Sequence, residues 1–252
     1  MSAKQVLRLY MSEMRLFLRE TQVLVFVFGF PAITVLVLGG VFGSDTDDWA
    51  FEFVNPSHFY VSAYFGVMLA AIGLIMLPAH VASYRASGVL RRFDTAGFPA
   101  WAFPAAQFLC GITFAVLGSV SLLVTASFSY GIPAIDDVGR TLLGLVLGTL
   151  AFISIGVALG SLLPSARAAQ GLGLTLFFPM FLLAGGGPPP RSLSSTMESI
   201  AQWLPLSHVI RSSQEPWLGL GQANDHLLIV TLMLAASTAV WIGQSARVSR
   251  SA

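Results

Sequence analysis

The sequence predicts an all-α, polytopic membrane protein with about six transmembrane helices, and two observations carry this prediction. First, 55% of the 252 residues are hydrophobic and only 10% are charged, whereas an ordinary soluble domain has about 25% charged residues. Second, six stretches lack charged residues and are long enough to cross a bilayer, which takes about 20 apolar residues. The predicted spans lie near residues 22–43, 59–83, 102–129, 141–163, 168–186 and 227–244. Runs of this length are too long for strands.

Residues 1–21, ahead of the first span, are predicted to form an amphipathic helix on the membrane surface. Its polar face repeats at spacings of three or four residues and consists of Lys4, Arg8, Ser12, Arg15 and Arg19. Cations on such a face suit the anionic headgroups of the inner leaflet. Basic residues run through the whole segment, so we do not expect a signal peptide. We interpret the helix as an anchor, and the alternative is a lever that connects the first span to a cytosolic partner.

The distribution of basic residues predicts the orientation of the chain. With both termini inside, ten of the 13 basic residues fall in inner segments, and only Arg140, Arg191 and Arg211 fall outside. Cytoplasmic loops of membrane proteins are normally enriched in Lys and Arg. We therefore expect a multi-pass protein of the cytoplasmic membrane, with both termini in the cytoplasm and residues 187–225 outside the cell.

The inner loop over residues 84–101 is predicted to contain a basic helix of one or two turns. Leu90 and Phe93 are three residues apart, so they share one helical face. Gly97 and Pro99 would end the helix. An apolar edge on a short helix could dock into the groove of a partner. The alternative is a loop that only fixes the topology through its positive charge.

The outer segment 187–225 is predicted to form a helical hairpin that re-enters the membrane region before the last span. It follows three glycines and three prolines at residues 185–190, which no helix can cross intact. A capping-box pattern that begins at Ser195 predicts a short helix to about Trp203. A second short helix is predicted over about 207–214, ending before the next proline.

The chemistry of an ATPase is missing from this chain. Lys4 is the only lysine, and a Walker A loop needs a lysine that reaches the β- and γ-phosphates. No aspartate or glutamate falls inside a predicted span, although ion-driven transporters commonly keep such carboxylates as relays. A self-powered secondary transporter is therefore disfavoured. A membrane-bound enzyme or a non-transporting scaffold is disfavoured too, because no catalytic set of residues lies in one membrane plane.

The spans contain few polar groups that could contact a substrate. His80 is the one ionisable side chain in a charge-free run, and we interpret it as an interfacial histidine bonded to a nearby carbonyl. The other histidines lack the spacing of metal ligands, so no metal site is predicted. A bare charge in a span costs about 2.5–3.5 kcal/mol, so an apolar or amphipathic substrate is expected. The proposed substrate path contains Tyr64, Phe65, Phe177 and Phe181.

The combined pattern resembles the permease subunit of ABC-2 type transporters. The shared features cover nearly the whole chain: an interfacial helix, six spans, a short helix in the inner loop between spans two and three, and a broken hairpin before the last span. In that family the inner loop often has a glycine, a leucine, a charged pair, an apolar residue and a threonine-proline. The matching residues are Gly88, Leu90, Arg91, Phe93 and Thr95. Ala86 replaces the usual glutamate, and Ala96 stands where proline is common.

The resemblance implies a single permease domain over residues 1–252, with no enzymatic site and no cofactor of its own. Two such subunits, identical or different, would assemble with two separate ATP-binding cassette subunits that hold the ATP and magnesium. The dimer interface would involve spans one and five. The loop 84–101 would carry the coupling helix that contacts the ATP-binding subunit. Its assigned residues are Arg85, Gly88, Leu90, Arg91, Arg92 and Phe93.

The composition also bears on the class of substrate and partner. A chain rich in alanine and glycine, with arginine in place of lysine, is similar to drug and antibiotic exporters of actinobacteria. Export of a polysaccharide or a lipid-linked polymer is the alternative. The net charge of +1 gives no reason to expect a nucleic-acid partner.

Overall fold

The computed structural model describes residues 3–42, 51, 54–95, 99 and 101–250. Within these ranges all regular secondary structure is helical. Six of the described helical stretches are long and apolar enough to span a membrane. In chain order, spans one to six are Thr21–Val41, Pro56–Ala86, Ala102–Ser129, Val138–Leu162, Ala166–Leu183 and Asn224–Gly243. The predicted fold class and the predicted number of spans are confirmed.

The helices follow one another with short connections. Ahead of the first span lies α1 (Ala3–Phe17). Span one consists of α2 (Thr21–Val23), a π-helical segment (Leu24–Gly29) and α3 (Phe30–Phe42). Span two consists of α4 (Pro56–Ala71), a π-helical segment (Ile72–Met76) and α5 (Leu77–Ala86). The later helices are α6 (Val89–Thr95), α7 (Ala102–Ser129), α8 (Val138–Leu162), α9 (Ala166–Leu183), α10 (Ser195–Ala201), α11 (Pro205–Leu218) and α12 (Asn224–Arg250).

Span two is the centre of the bundle. Its most apolar window is 100% buried inside the protein, whereas the corresponding window of span four is 50% buried and that of span six only 6%. Tyr60, Met68 and Leu77 have no exposed surface. The other spans keep large apolar side chains on their outer faces, such as Phe128, which suits contact with lipid tails. The hydrophobic core is therefore built around one helix.

Both π-helical segments are followed closely by a proline. Pro31 comes two residues after the first segment and Pro78 two residues after the second. A proline has no N–H and its ring clashes with the carbonyl four residues earlier, so it disturbs the regular helical bonding. In span two the wider turn is visible in a bond from the N–H of Leu77 to the carbonyl of Ile72. A local π-turn keeps the helix continuous past the proline.

Glycines allow span two to approach its neighbours at backbone distance. A Cβ atom on Gly156 of span four would lie 2.6 Å from the carbonyl oxygen of Gly73 in span two. A Cβ on Gly173 of span five would overlap the carbonyl of Leu74. Small residues at helix contacts are how membrane helices pack closely, because lipid gives little hydrophobic drive for association.

At the opposite end of the bundle from α1, two helices lie between spans five and six, and their bounds differ from the prediction. The first begins after Ser194, not Ser195, because the Ser194 hydroxyl accepts a bond from the N–H of Met197 at 3.5 Å. The second is longer than expected and continues through Pro216 to Leu218. Pro216 lies in the last turn, and only two residues of the helix follow it. Whether this segment re-enters a membrane stays a prediction.

Candidate functional site

The loop between spans two and three folds as a sharp turn and a short helix. The turn is at Gly88, whose φ of 72° lies in the left-handed region that glycine adopts without strain. Helix α6 then begins at Val89 and ends at Thr95. The predicted basic helix is therefore present, with its last residue two positions before Gly97, which lies outside the described residues.

The apolar side of α6 is partly covered by the protein itself. Leu90 and Phe93 are each partly buried. The ring of Phe93 lies 6.5 Å from that of Tyr84 and 6.4 Å from that of Phe103, and it packs against a small apolar cluster of Leu9, Ala102 and Ala106. Phe93 thus connects α6 to span two and span three, and only part of its surface remains for a partner.

The arginines of this loop have different surroundings. Arg85 is exposed, and its guanidinium donates to the backbone carbonyl of Ser161 at the end of span four. Arg92 is exposed at the surface of α6. The side chain of Arg91 lies outside the described residues. The loop is therefore tied at its start to span four, while α6 presents at least one cation to solvent.

A buried carboxylate lies directly behind this loop. Glu13 of α1 is only 1% exposed, although it is charged in water. Its Oε2 atom accepts from Nε2 of His80 at 2.7 Å and from Nε2 of Gln107 at 2.8 Å. Its Oε1 atom accepts from the hydroxyl of Tyr84 at 2.7 Å. Three donors from spans two and three thus satisfy one carboxylate of α1; Glu13, His80, Tyr84 and Gln107 are called the Glu13 cluster below.

The interpretation of His80 as a histidine bonded to a nearby carbonyl is wrong. Its two ring nitrogens face two carboxylates, Glu13 at 2.7 Å and Glu20 at 3.2 Å. The ring of Phe17 lies over the imidazole with a centroid distance of 4.0 Å. The sequence-based account missed this because both carboxylates come from residues before span one. The clue in the sequence is the position of Glu13, four residues from both Leu9 and Phe17 and hence on the apolar face of α1.

The four residues of the proposed substrate path do not form one group. Tyr64, Phe177 and Phe181 meet in the core, where the rings of Phe177 and Phe181 stack at 6.0 Å and that of Tyr64 lies 6.3 Å from Phe181. The Tyr64 hydroxyl donates to the carbonyl of Gly186 at 2.6 Å. Phe65 packs instead against Trp217 of α11, at 5.2 Å. All four side chains are buried in the bundle, so the path role stays a prediction.

A second titratable cluster joins α11 to the start of α12. The Nδ1 atoms of His208 and His226 lie 2.9 Å apart. The other ring nitrogen of His226 lies 3.4 Å from Glu215 Oε1, which also accepts from Arg211 at 3.3 Å. The cluster borders a cavity of about 500 Å³. One Nδ1–H can donate to the other Nδ1 at this distance, but two protonated Nδ1 atoms would face each other without an acceptor.

The surroundings make this cluster sensitive to acid. Burial, the neighbouring His226 and Arg211 lower the pKa of His208 from its ordinary value of 6.5. Burial alone would raise the pKa of Glu215, but His226 and Arg211 together hold it below the ordinary value of 4.5. A histidine with a lowered pKa costs folding stability as the pH falls below 6.5. A carboxyl with a lowered pKa stabilises the fold above 4.5, and this contribution is lost as the pH falls through its folded-state pKa.

Comparison with known proteins identifies the family. Residues 4–215 match the sequence profile of the ABC-2 type transporters, which is most of the chain. The chain belongs to the ABC-2 type transporter family. The match includes α1, the loop with α6 and the first five spans, so the sequence resemblance is confirmed. The members of this family are membrane subunits that transport and are not generally catalytic themselves.

Two curated relatives are also similar over part of the chain. Both carry the name inner membrane transport permease YhhJ, one from Escherichia coli K12 and one from Shigella flexneri. Each is 27% identical over 107 residues, which is 41% of this chain and 28% of the relative. The matched region thus covers less than a third of the relatives' length.

Proposed function

We propose that this ABC-2 family member is the permease subunit of an exporter that uses ATP hydrolysed by a separate ATP-binding cassette subunit. The observation that carries the proposal is the family match over residues 4–215 in a chain whose only lysine, Lys4, has no Walker A context. The protein provides the membrane path, and a partner must provide the energy. A second permease subunit, identical or different, completes the assembly.

The ATP-binding subunit docks at the end of the bundle that carries α1 and α6. The basic bias of this end supports a cytoplasmic location for it and for both termini. Helix α6 offers the partly buried Leu90 and Phe93 beside the exposed Arg92. An apolar anchor surrounded by cations is a common form of docking element, in which the anchor contributes most of the binding energy.

The substrate is an apolar or amphipathic small molecule. The described spans present aromatic and aliphatic side chains at mid-membrane, while the ionisable groups lie near the two ends. An ionic solute would find no counter-charge along most of such a path, and the cost of an unpaired charge there is about 2.5–3.5 kcal/mol. A drug, an antibiotic or a lipid-like compound fits this environment better.

An ion-driven transporter is the second candidate because the Glu13 cluster places ionisable groups at one end of the spans. Its carboxylate is fully occupied by three donors, which suits a structural link better than a relay that must release its proton.

The experiment uses inside-out membrane vesicles that contain the permease and its ATP-binding subunit. We expect ATP to drive uptake of a lipophilic fluorescent dye and not of rubidium ions. Vesicles with an ATP-binding subunit whose Walker A lysine is replaced serve as the control. ATP-driven movement of rubidium without any effect on lipophilic dyes would contradict the proposal.

A further inference from the structure

The Glu13 cluster lies at the junction of the helices that a docking partner would move. Glu13 belongs to α1, His80 and Tyr84 to span two, and Gln107 to span three. The bonds are short, between 2.7 and 2.8 Å, and Glu13 and Gln107 are no more than 1% exposed. Each of the other three members donates to the Glu13 carboxylate, although Oε1 of Gln107 is buried without a hydrogen-bond partner. Moving one member away would leave a buried carboxylate short of a donor, which costs free energy. These helices must therefore shift together or break the network.

His80 is held between two carboxylates. Its Nε2 atom lies 2.7 Å from Glu13 and its Nδ1 atom 3.2 Å from Glu20. The imidazole therefore links α1 to the residue that directly precedes span one. Arg15 of α1 and Arg19, which follows the end of α1, are exposed, so neither takes the place of His80 in this buried contact.

One side of the cluster contacts the proposed docking helix. The ring of Tyr84, whose hydroxyl binds Glu13, stacks on Phe103 at 5.0 Å. Phe93 of α6 lies within 6.5 Å of both rings. A displacement of α6 therefore acts first on the stacked rings of Tyr84 and Phe103. Tyr84 makes one of the three hydrogen bonds to Glu13.

The other side of the cluster leads to spans one and five. His80 holds Glu20, which directly precedes span one. Two residues later, Gln22 accepts from the side-chain amide of Gln170 in span five at 2.9 Å. A continuous series of contacts thus runs from α6 through the Glu13 cluster to both of these spans.

We propose that Glu13 and His80 are positioning residues that transmit the movement of α6 to span one, and that the hydrogen-bonded contact between them is required for coupling but not for docking. The proposal rests on the proposed function, because α6 moves only if an ATP-binding subunit acts on it. The docking surface on α6 contains neither residue. Loss of the contact between Glu13 and His80 should therefore leave the ATP-binding subunit bound and hydrolysing ATP. Span one should no longer move when α6 moves.

The first experiment compares Glu13→Gln, which keeps the shape and removes the charge, with Arg15→Gln on the exposed face of the same helix. Binding of the ATP-binding subunit, ATP hydrolysis and dye transport are measured on the full complex. We expect Glu13→Gln to keep binding and hydrolysis within about twofold and to lower dye transported per ATP by about tenfold, a size typical of coupling between sites. Arg15→Gln should match the wild type.

Two further variants separate coupling from folding. Tyr84→Phe removes a single hydroxyl, so it should fold normally and lower transport per ATP by a smaller factor, about threefold. Glu13→Gln combined with His80→Gln should lower it no further than the more damaging of the two single changes, because both residues belong to one series of contacts and a single break interrupts it. Independent, additive losses would contradict transmission through this series.

A spectroscopic readout does not depend on transport. Spin labels at the exposed positions Arg8 and Leu109, in a Cys110→Ala background, report the distance between α1 and span three. We expect Glu13→Gln to broaden this distance distribution and Arg15→Gln to leave it unchanged. An unchanged distribution, or wild-type transport per ATP in Glu13→Gln, would overturn the proposal. Absence of ATP-driven transport in the wild-type complex would instead overturn the proposed function, and this inference with it.

Discussion

Replacing Gly156 by alanine should separate spans two and four, because the structure leaves no room for a methyl group there. The new Cβ would lie 2.6 Å from the carbonyl oxygen of Gly73, 3.0 Å from Cβ of Leu77 and 3.2 Å from Cα of Gly73. Two of these three atoms are backbone, so no side-chain rotation can relieve the overlap. The helices themselves must move apart by a few tenths of an ångström or more.

The size of the effect follows from a matched comparison. At Gly171 of span five a new Cβ meets no atom within 4 Å, so Gly171→Ala is the control. The gain in helix propensity from glycine to alanine, up to about 1 kcal/mol, is common to both variants and cancels between them. The steric overlap at Gly156 then lowers the free energy of unfolding by about 1–3 kcal/mol. Gly156→Ala should therefore be less stable than Gly171→Ala by that amount.

The assay is thermal unfolding of the purified protein in detergent, followed by intrinsic tryptophan fluorescence. We expect the unfolding midpoint of Gly156→Ala to lie several degrees below that of Gly171→Ala, since about 1 kcal/mol shifts the midpoint by about 2–4 °C in a protein of this size. Equal midpoints for the two variants would refute the close approach of spans two and four.

Three other predictions concern the docking helix, the acid-sensitive cluster and the topology. Phe93→Ala should weaken capture of the ATP-binding subunit in a pull-down by about 2 kcal/mol or more, and Arg92→Ala by much less; equal losses would contradict the anchor role. As the pH falls below 6.5, the unfolding midpoint should drop in the wild type, and His208→Gln should drop less; identical pH profiles would refute the role of His208. In intact cells an impermeant thiol reagent should label Ser194→Cys and spare Arg250→Cys, and the reverse pattern would invert the predicted orientation.

The membrane fold could be predicted because it depends on composition over long stretches. Each span is a run of about 20 residues without charge, so the prediction of a span does not depend on any single side chain. The short α6 could also be predicted, because the spacing of Leu90 and Phe93 is a local property of the sequence. The predicted end of α11 is wrong, because a proline is only a local signal for the end of a helix. The helix continues through Pro216 to Leu218. Where it ends depends on how α11 packs against the rest of the protein.

The Glu13 cluster could not be predicted from local patterns. Its members are separated by up to 94 residues, as in the bond from Gln107 to Glu13. The spacing of Glu13 from Leu9 and Phe17 places it on the apolar face of α1, but no local pattern shows that His80, Tyr84 and Gln107 meet it there. The contact between His208 and His226 has the same origin. Polar groups paired across helices are specified by three-dimensional packing, which the periodicity of one helix does not contain.

The most direct test of the account is the source of energy. The tagged chain is purified from its native membrane under mild conditions, and the preparation is assayed for vanadate-sensitive ATP hydrolysis before and after removal of the co-purified proteins. We predict that an ATP-binding cassette subunit co-purifies, that hydrolysis accompanies it, and that the homogeneous chain hydrolyses no ATP. ATP hydrolysis by the homogeneous chain, or dye transport by liposomes with this chain alone in response to an ion gradient, would contradict the account.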